Sequence, residues 1–97
     1  MPSFIFEDIY ESLREASQAL MSLRGYKPYS HEALIAFLKK FYNFPEADTS
    51  SFDRYRKLRN RCVYGAFFIS ISKCREALVF LERFLPKIRE KFERESV

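Results

Sequence analysis

Glycine is scarce in this chain, with only Gly25 and Gly65 among 97 residues, beside four prolines. Two isolated glycines cannot build a glycine-rich phosphate loop. A chain so poor in turn formers also reads as mostly helical, because long helical periods dominate it. There is a single histidine, His31. With scattered carboxylates and no ligand spacing, it offers no metal centre. The two cysteines, Cys62 and Cys74, stand apart on apolar helical positions. That spacing argues against a disulfide framework and against zinc. Both read as buried, reduced thiols of a cytoplasmic protein. No apolar run approaches the roughly 20 residues that span a bilayer, and the N-terminus lacks a basic stretch followed by an apolar one. No serine-nucleophile or zinc motif occurs, so no cofactor is expected.

Aromatic residues are plentiful, with eleven Phe and six Tyr. A single domain over residues 1–97 has one small core. It cannot hide every ring, so some are expected at an oligomer interface, most simply a homodimer. Charge is uneven. Residues 1–50 hold five Lys/Arg against seven Asp/Glu, and residues 51–97 hold twelve against six, so the net +4 comes from the second half. A basic half attracts an acidic partner or a nucleic acid. It also fits an ordinary salt-bridged helix surface.

Four helices are expected, giving an all-α four-helix bundle with up-down helices. Phe6, Ile9, Tyr10, Leu13, Ala16, Leu20 and Leu23 mark the first, with Ser3 as its cap and Gly25 as its stop. Ser30 caps the second, with Tyr29 and Leu34 placed as a hydrophobic staple, and the helix ends before Pro45. Residues 45–51, PEADTSS, read as a loop from which Ser50 or Ser51 caps the third helix. That helix buries Tyr55, Leu58, Cys62, Ala66 and Ile69. Residues 66–72 read as a short extended link, with Ser70 or Ser72 capping the last helix. Its apolar face is Cys74, Ala77, Leu78, Leu81, Leu85, Ile88 and Phe92, with a kink expected near Pro86.

The third helix holds the densest chemistry, RYRKLRNRCVY. Arg54, Arg56, Lys57, Arg59 and Arg61 place five cations in eight residues. Residues four apart share a helix face, so Arg56, Asn60 and Tyr64 form one row, bordered by Arg59. Guanidinium suits a bidentate grip on phosphate. The amide can orient a substrate, and a phenol can serve as acid or base when its pKa falls well below about 10. The plainer reading is that Arg59 and Asn60 bridge helices and that Tyr64 packs its ring. His31, in the first turn of the second helix, reads as a surface or capping residue. The basic residues of the last helix alternate with Glu82, Glu90 and Glu93, which reads first as a solvated face.

RNRCVYG, residues 59–65, resembles the signature of HEPN domains, small helical proteins of prokaryotic defence and toxin–antitoxin systems. That signature is Arg, usually a polar residue, three variable residues and then His. Arg59 and Asn60 match, and Tyr64 stands where His is usual. Residues 10–38 are similar to the family's helix–loop–helix, and residues 71–85 to its closing helix. The resemblance implies a homodimer in which two motifs form a composite, metal-independent RNA-cleaving site. Arg59, Asn60 and Tyr64 would be its catalytic residues, with Arg54, Arg56, Lys57 and Arg61 as RNA contacts. It also implies a partner, a minimal nucleotidyltransferase acting as antitoxin. The alternative is an inactive HEPN-like interaction module that dimerises and docks that partner.

Overall fold

Apolar residues at spacings of three and four become helices where the ends can be closed, and the ends of this chain are closed by side chains and left-handed residues. A computed structural model describes residues 2–27, 30–63 and 69–95. They form four helices, α1 (Pro2–Leu23), α2 (His31–Tyr42), α3 (Glu46–Val63) and α4 (Ile71–Glu95), and no strand occurs among them. The all-α four-helix bundle expected from periodicity is the fold.

Gly25 ends α1 with φ +78°. Its N–H reaches the Ser22 carbonyl while the Tyr26 N–H reaches that of Met21, each at 3.0 Å. This pair of bonds is the Schellman closure, which needs a left-handed residue at that point. Ser30 caps α2, its hydroxyl accepting from the Ala33 N–H at 3.1 Å. Asn43 closes the other end in the left-handed region, φ 57°. Ser70 caps α4, accepting from the Lys73 N–H at 3.1 Å. The proposed staple residue Tyr29 lies outside the described residues, as does Ala66.

Two expected starts are corrected. Helix α1 is already running at Pro2, so Ser3 lies inside it rather than capping it. Proline fits a first helical turn because its missing N–H would have no partner there. The expected loop over residues 45–51 is instead the beginning of α3. The Pro45 carbonyl accepts from the N–H groups of Asp48 and Thr49, at 3.0 and 3.2 Å. Glu46 and Asp48 in that first turn oppose the positive end of the helix dipole. Asp48 is also buried and clamps α4, with Arg83 Nη2 at 3.2 Å and Lys87 Nζ at 2.9 Å. Helix α4 runs through Pro86 to Glu95.

The core is a chain of rings and leucines. Phe84 is fully buried and meets Phe44, Phe52 and Phe80 at centroid distances of 5.1, 5.9 and 5.0 Å. The buried stripe of α4 is Cys74, Ala77, Phe80, Phe84 and Ile88. Leu78, expected inside, is 43% exposed. Cys62 is half-buried rather than buried, and both cysteines are free.

Direction follows from pairings between ends. Lys39–Glu46 and Arg56–Glu32 make α2 antiparallel to α3. Arg54–Glu76 and Asp48–Lys87 make α3 antiparallel to α4. Up-down alternation therefore holds from α2 to α4. Helix α1 lies along α4 in the same sense, with Ile5 beside Ile71 at one end and Arg24 bonded to Glu95 at the other. It also runs in the same sense as α2, since Tyr10 meets His31 and Arg24 meets Tyr42. This arrangement brings the start of α2 against the middle of α1 and the last turns of α3.

Candidate functional site

Where those three helices meet, a pocket of about 350 Å³ is lined by Tyr10 and Arg14 of α1, His31 and Glu32 of α2, and Arg56, Arg59 and Asn60 of α3. That volume lies in the range of small-ligand sites, about 300–1,000 Å³. A larger hollow of about 610 Å³, beside Tyr26, Phe37 and Phe41, is mostly apolar. A second polar hollow, of about 380 Å³, is lined by Lys39, Glu46, Asp53, Arg54 and Lys57; the pocket beside His31 is the one that gathers Arg56, Arg59 and Asn60.

Its guanidinium groups are held from below by carboxylates. Arg14 binds Glu11 through Nε at 3.0 Å and Nη2 at 2.5 Å. Arg59 Nη2 approaches the other oxygen of Glu11, Oε1, at 3.3 Å. That contact is an ion pair by distance but too bent to be a hydrogen bond, so Oε1 keeps no donor. Arg59 Nη1 reaches Asn60 Oδ1 at 3.4 Å, and its guanidinium sits 5.6 Å from the centroid of the Tyr10 ring. Arg56 donates from Nε to Asp53 at 2.9 Å and pairs with Glu32 at 3.4 Å. Glu32 is 70% exposed, so solvent or a ligand can draw it away.

His31 stacks on Tyr10, with centroids 5.5 Å apart, and meets Phe52 edge-on at 4.9 Å. The Tyr10 hydroxyl and His31 Nδ1 are hydrogen-bonded. Burial, helped by the nearby Arg56 charge, pushes the His31 pKa down to about 4. Burial likewise pushes Tyr10 up to about 12, against the pull of Arg59. At neutral pH both groups are therefore uncharged.

Three buried side-chain atoms among the described residues have no hydrogen-bond partner: Glu11 Oε1, His31 Nε2 and Arg59 Nε. All three belong to this pocket or to the carboxylate behind it. Buried polar groups are nearly always satisfied, so these three are where a bound molecule or an ordered water would find partners.

The structure gathers some of the sequence's candidates and separates others. Arg56, Arg59 and Asn60 come together. Arg54 and Lys57 line a different groove with Lys39 and Asp53, so the cation run splits over two sides of α3. Arg61 is exposed in the last turn of α3. Tyr64 lies outside the described residues. His31 is not the surface or capping residue that its sequence position suggested; Ser30 does the capping, and His31 faces the motif. Tyr10 and Arg14 are site residues that the sequence concealed, since Tyr10 fits the core stripe and Arg14 fits a solvated face.

No group of three or more His, Cys, Asp or Glu among the described residues could hold a metal ion. No helix among them is long and apolar enough to cross a membrane. Comparison of the chain with family models, with curated proteins and with solved structures gave no match.

Proposed function

We propose that this chain is an RNA-associated domain of the HEPN type, and that its α1–α2–α3 pocket engages an RNA phosphodiester and cleaves it without a metal ion. The observation that carries this reading is the convergence of Arg14, Arg56, Arg59, Asn60 and His31 on one pocket. Guanidinium groups grip phosphate in a bidentate manner and balance the charge that grows on it during displacement. Asn60, beside Arg59, orients that grip. The exposed Glu32 is the group an arriving phosphate would displace from Arg56.

Five apolar residues near the α1 and α4 N-termini are exposed: Phe4, Ile5, Ile71, Leu78 and Val79. They support a homodimer, as the composite site of the family requires. The same surface favours a second reading, an inactive module that dimerises and docks a minimal nucleotidyltransferase. On that reading the paired guanidiniums only hold three helices together.

Salt separates the two. RNA binding through the three pocket arginines should weaken with a log–log slope of about −2 from these contacts, at about −0.7 per phosphate contact on a single strand. Arg59→Ala should flatten that slope and stay folded. A folded Arg59→Ala protein with unchanged RNA affinity and slope would remove the pocket from the binding surface. An apolar docking interface would barely respond to salt.

A further inference from the structure

We infer that His31 Nε2 is the proton-accepting group of this pocket, with Tyr10 as its positioning residue. The inference rests on the phosphodiester reading above. Its basis is geometric. His31 lines the pocket beside Arg56, Arg59 and Asn60. Its Nδ1 is engaged by Tyr10, while its Nε2 is buried with no partner. The bond admits either direction; the proton acceptor is the tautomer in which Nδ1–H donates to the Tyr10 oxygen and Nε2 carries the lone pair. The stacked Tyr10 ring and the edge contact with Phe52 hold its orientation. Nε2 has no solvent-accessible surface in this state, so a ribose hydroxyl reaches it only when neighbouring side chains move.

The step balances with RNA and water alone. His31 Nε2 takes the proton of a ribose 2′-hydroxyl. The 2′-oxygen forms a bond to the adjacent phosphorus. The bond from phosphorus to the 5′-oxygen breaks, its electron pair staying on that oxygen, which takes a proton from water. The products are a 2′,3′-cyclic phosphate and a 5′-hydroxyl end. His31 then returns its proton to the hydroxide left in solvent.

Protonation of His31 is tied to ligand charge. The charged groups acting on it are Arg14 from α1, Glu32 from α2, and Asp53 and Arg56 from α3, with the Tyr10 phenol in contact. With the ring about 4 in the free protein, an anionic phosphate beside it raises the midpoint. Binding then takes up a proton and tightens as pH falls through that window.

His31 is the only histidine, so its ring proton signal is unambiguous by NMR. The experiment titrates that signal with and without saturating uridine 3′-monophosphate. It also measures RNA cleavage in EDTA against pH for the wild type, His31→Asn, Tyr10→Phe and Arg59→Ala. The expected result is a His31 midpoint raised by at least one pH unit with the nucleotide. His31→Asn loses cleavage by about 100-fold or more, and its RNA affinity no longer rises as pH falls. Tyr10→Phe moves the acid limb of the rate profile to lower pH, because Nδ1–H⁺ has lost its acceptor. Wild-type cleavage by His31→Asn, with Arg59→Ala inactive, would overturn the inference and leave the pocket reading standing. Absence of RNA binding and cleavage in the wild type would overturn both. Should His31→Asn fail to fold, the nucleotide titration of the wild type decides: an unmoved midpoint at saturation overturns the inference.

Discussion

The Tyr10 hydroxyl and His31 Nδ1 are hydrogen-bonded across 21 positions of sequence, with their rings stacked. This contact joins α1 to the first residue of α2 and holds an uncharged imidazole beside three guanidinium groups. It makes the pocket a property of the fold rather than of the motif on α3.

His31 should make stability depend on pH. Its folded pKa, about 4, lies below its ordinary value of 6.5. Between those values the unfolded chain binds the extra proton, so stability is fully present above pH 6.5 and is lost as pH falls towards 4. Thermal melts across that range should show a falling Tm. The fall should be smaller in a folded His31→Gln protein, and an equal fall in both would assign the effect to the carboxylates.

Asp48 should matter more than an acid in a hydroxyl-rich segment suggests. Its carboxylate is buried and meets Arg83 and Lys87. Asp48→Ala leaves two cations on α4 without their anion and should cost about 2 kcal/mol. Urea unfolding would measure it, and a loss below about 0.5 kcal/mol would class the clamp with ordinary surface pairs.

Phe84 is fully buried among three other rings. Phe84→Ala should cost about 3–5 kcal/mol, a large share of the stability of a domain this size. Leu78→Ala, on the exposed side of the same helix, should change monomer stability by less than about 0.5 kcal/mol. The opposite ranking would place Leu78 rather than Phe84 in the core.

A homodimer should be present in solution, because Phe4, Ile5, Ile71, Leu78 and Val79 leave apolar surface uncovered. Sedimentation at micromolar concentration should give twice the chain mass, and Val79→Glu should shift it towards monomer. A wild-type monomer under those conditions would remove the composite-site argument.

The helices were legible because period and caps are local. Gly25, Ser30 and Ser70 each act within a few residues of themselves. The start of α3 was not. Pro45, Asp48 and Thr49 have the composition of a turn, and only the distant Arg83 and Lys87 explain why Asp48 is buried in a helix. The α4 face was read correctly at Cys74, Ala77 and Ile88 but not between them: Leu78 and Phe80 are both apolar, and the ring cluster around Phe84 decides for Phe80. The adjacency of Arg56, Arg59 and Asn60 on one side of α3 was readable from their spacing. The partition of Arg54 and Lys57 into another groove was not, since it depends on where α2 packs. Nor was the placement of His31, whose partner Tyr10 looks in sequence like one more core residue.

The most direct test of the proposed phosphate binding is to follow the arginine Nε–H signals by NMR while adding a short single-stranded RNA. Arg59 Nε has no partner in the free protein, so it should report a ligand strongly. The Arg59 and Arg56 signals should shift together and saturate, in step with the His31 ring. Saturation with shifts confined to Arg54 and other arginines, leaving Arg59 unmoved, would contradict the proposed binding.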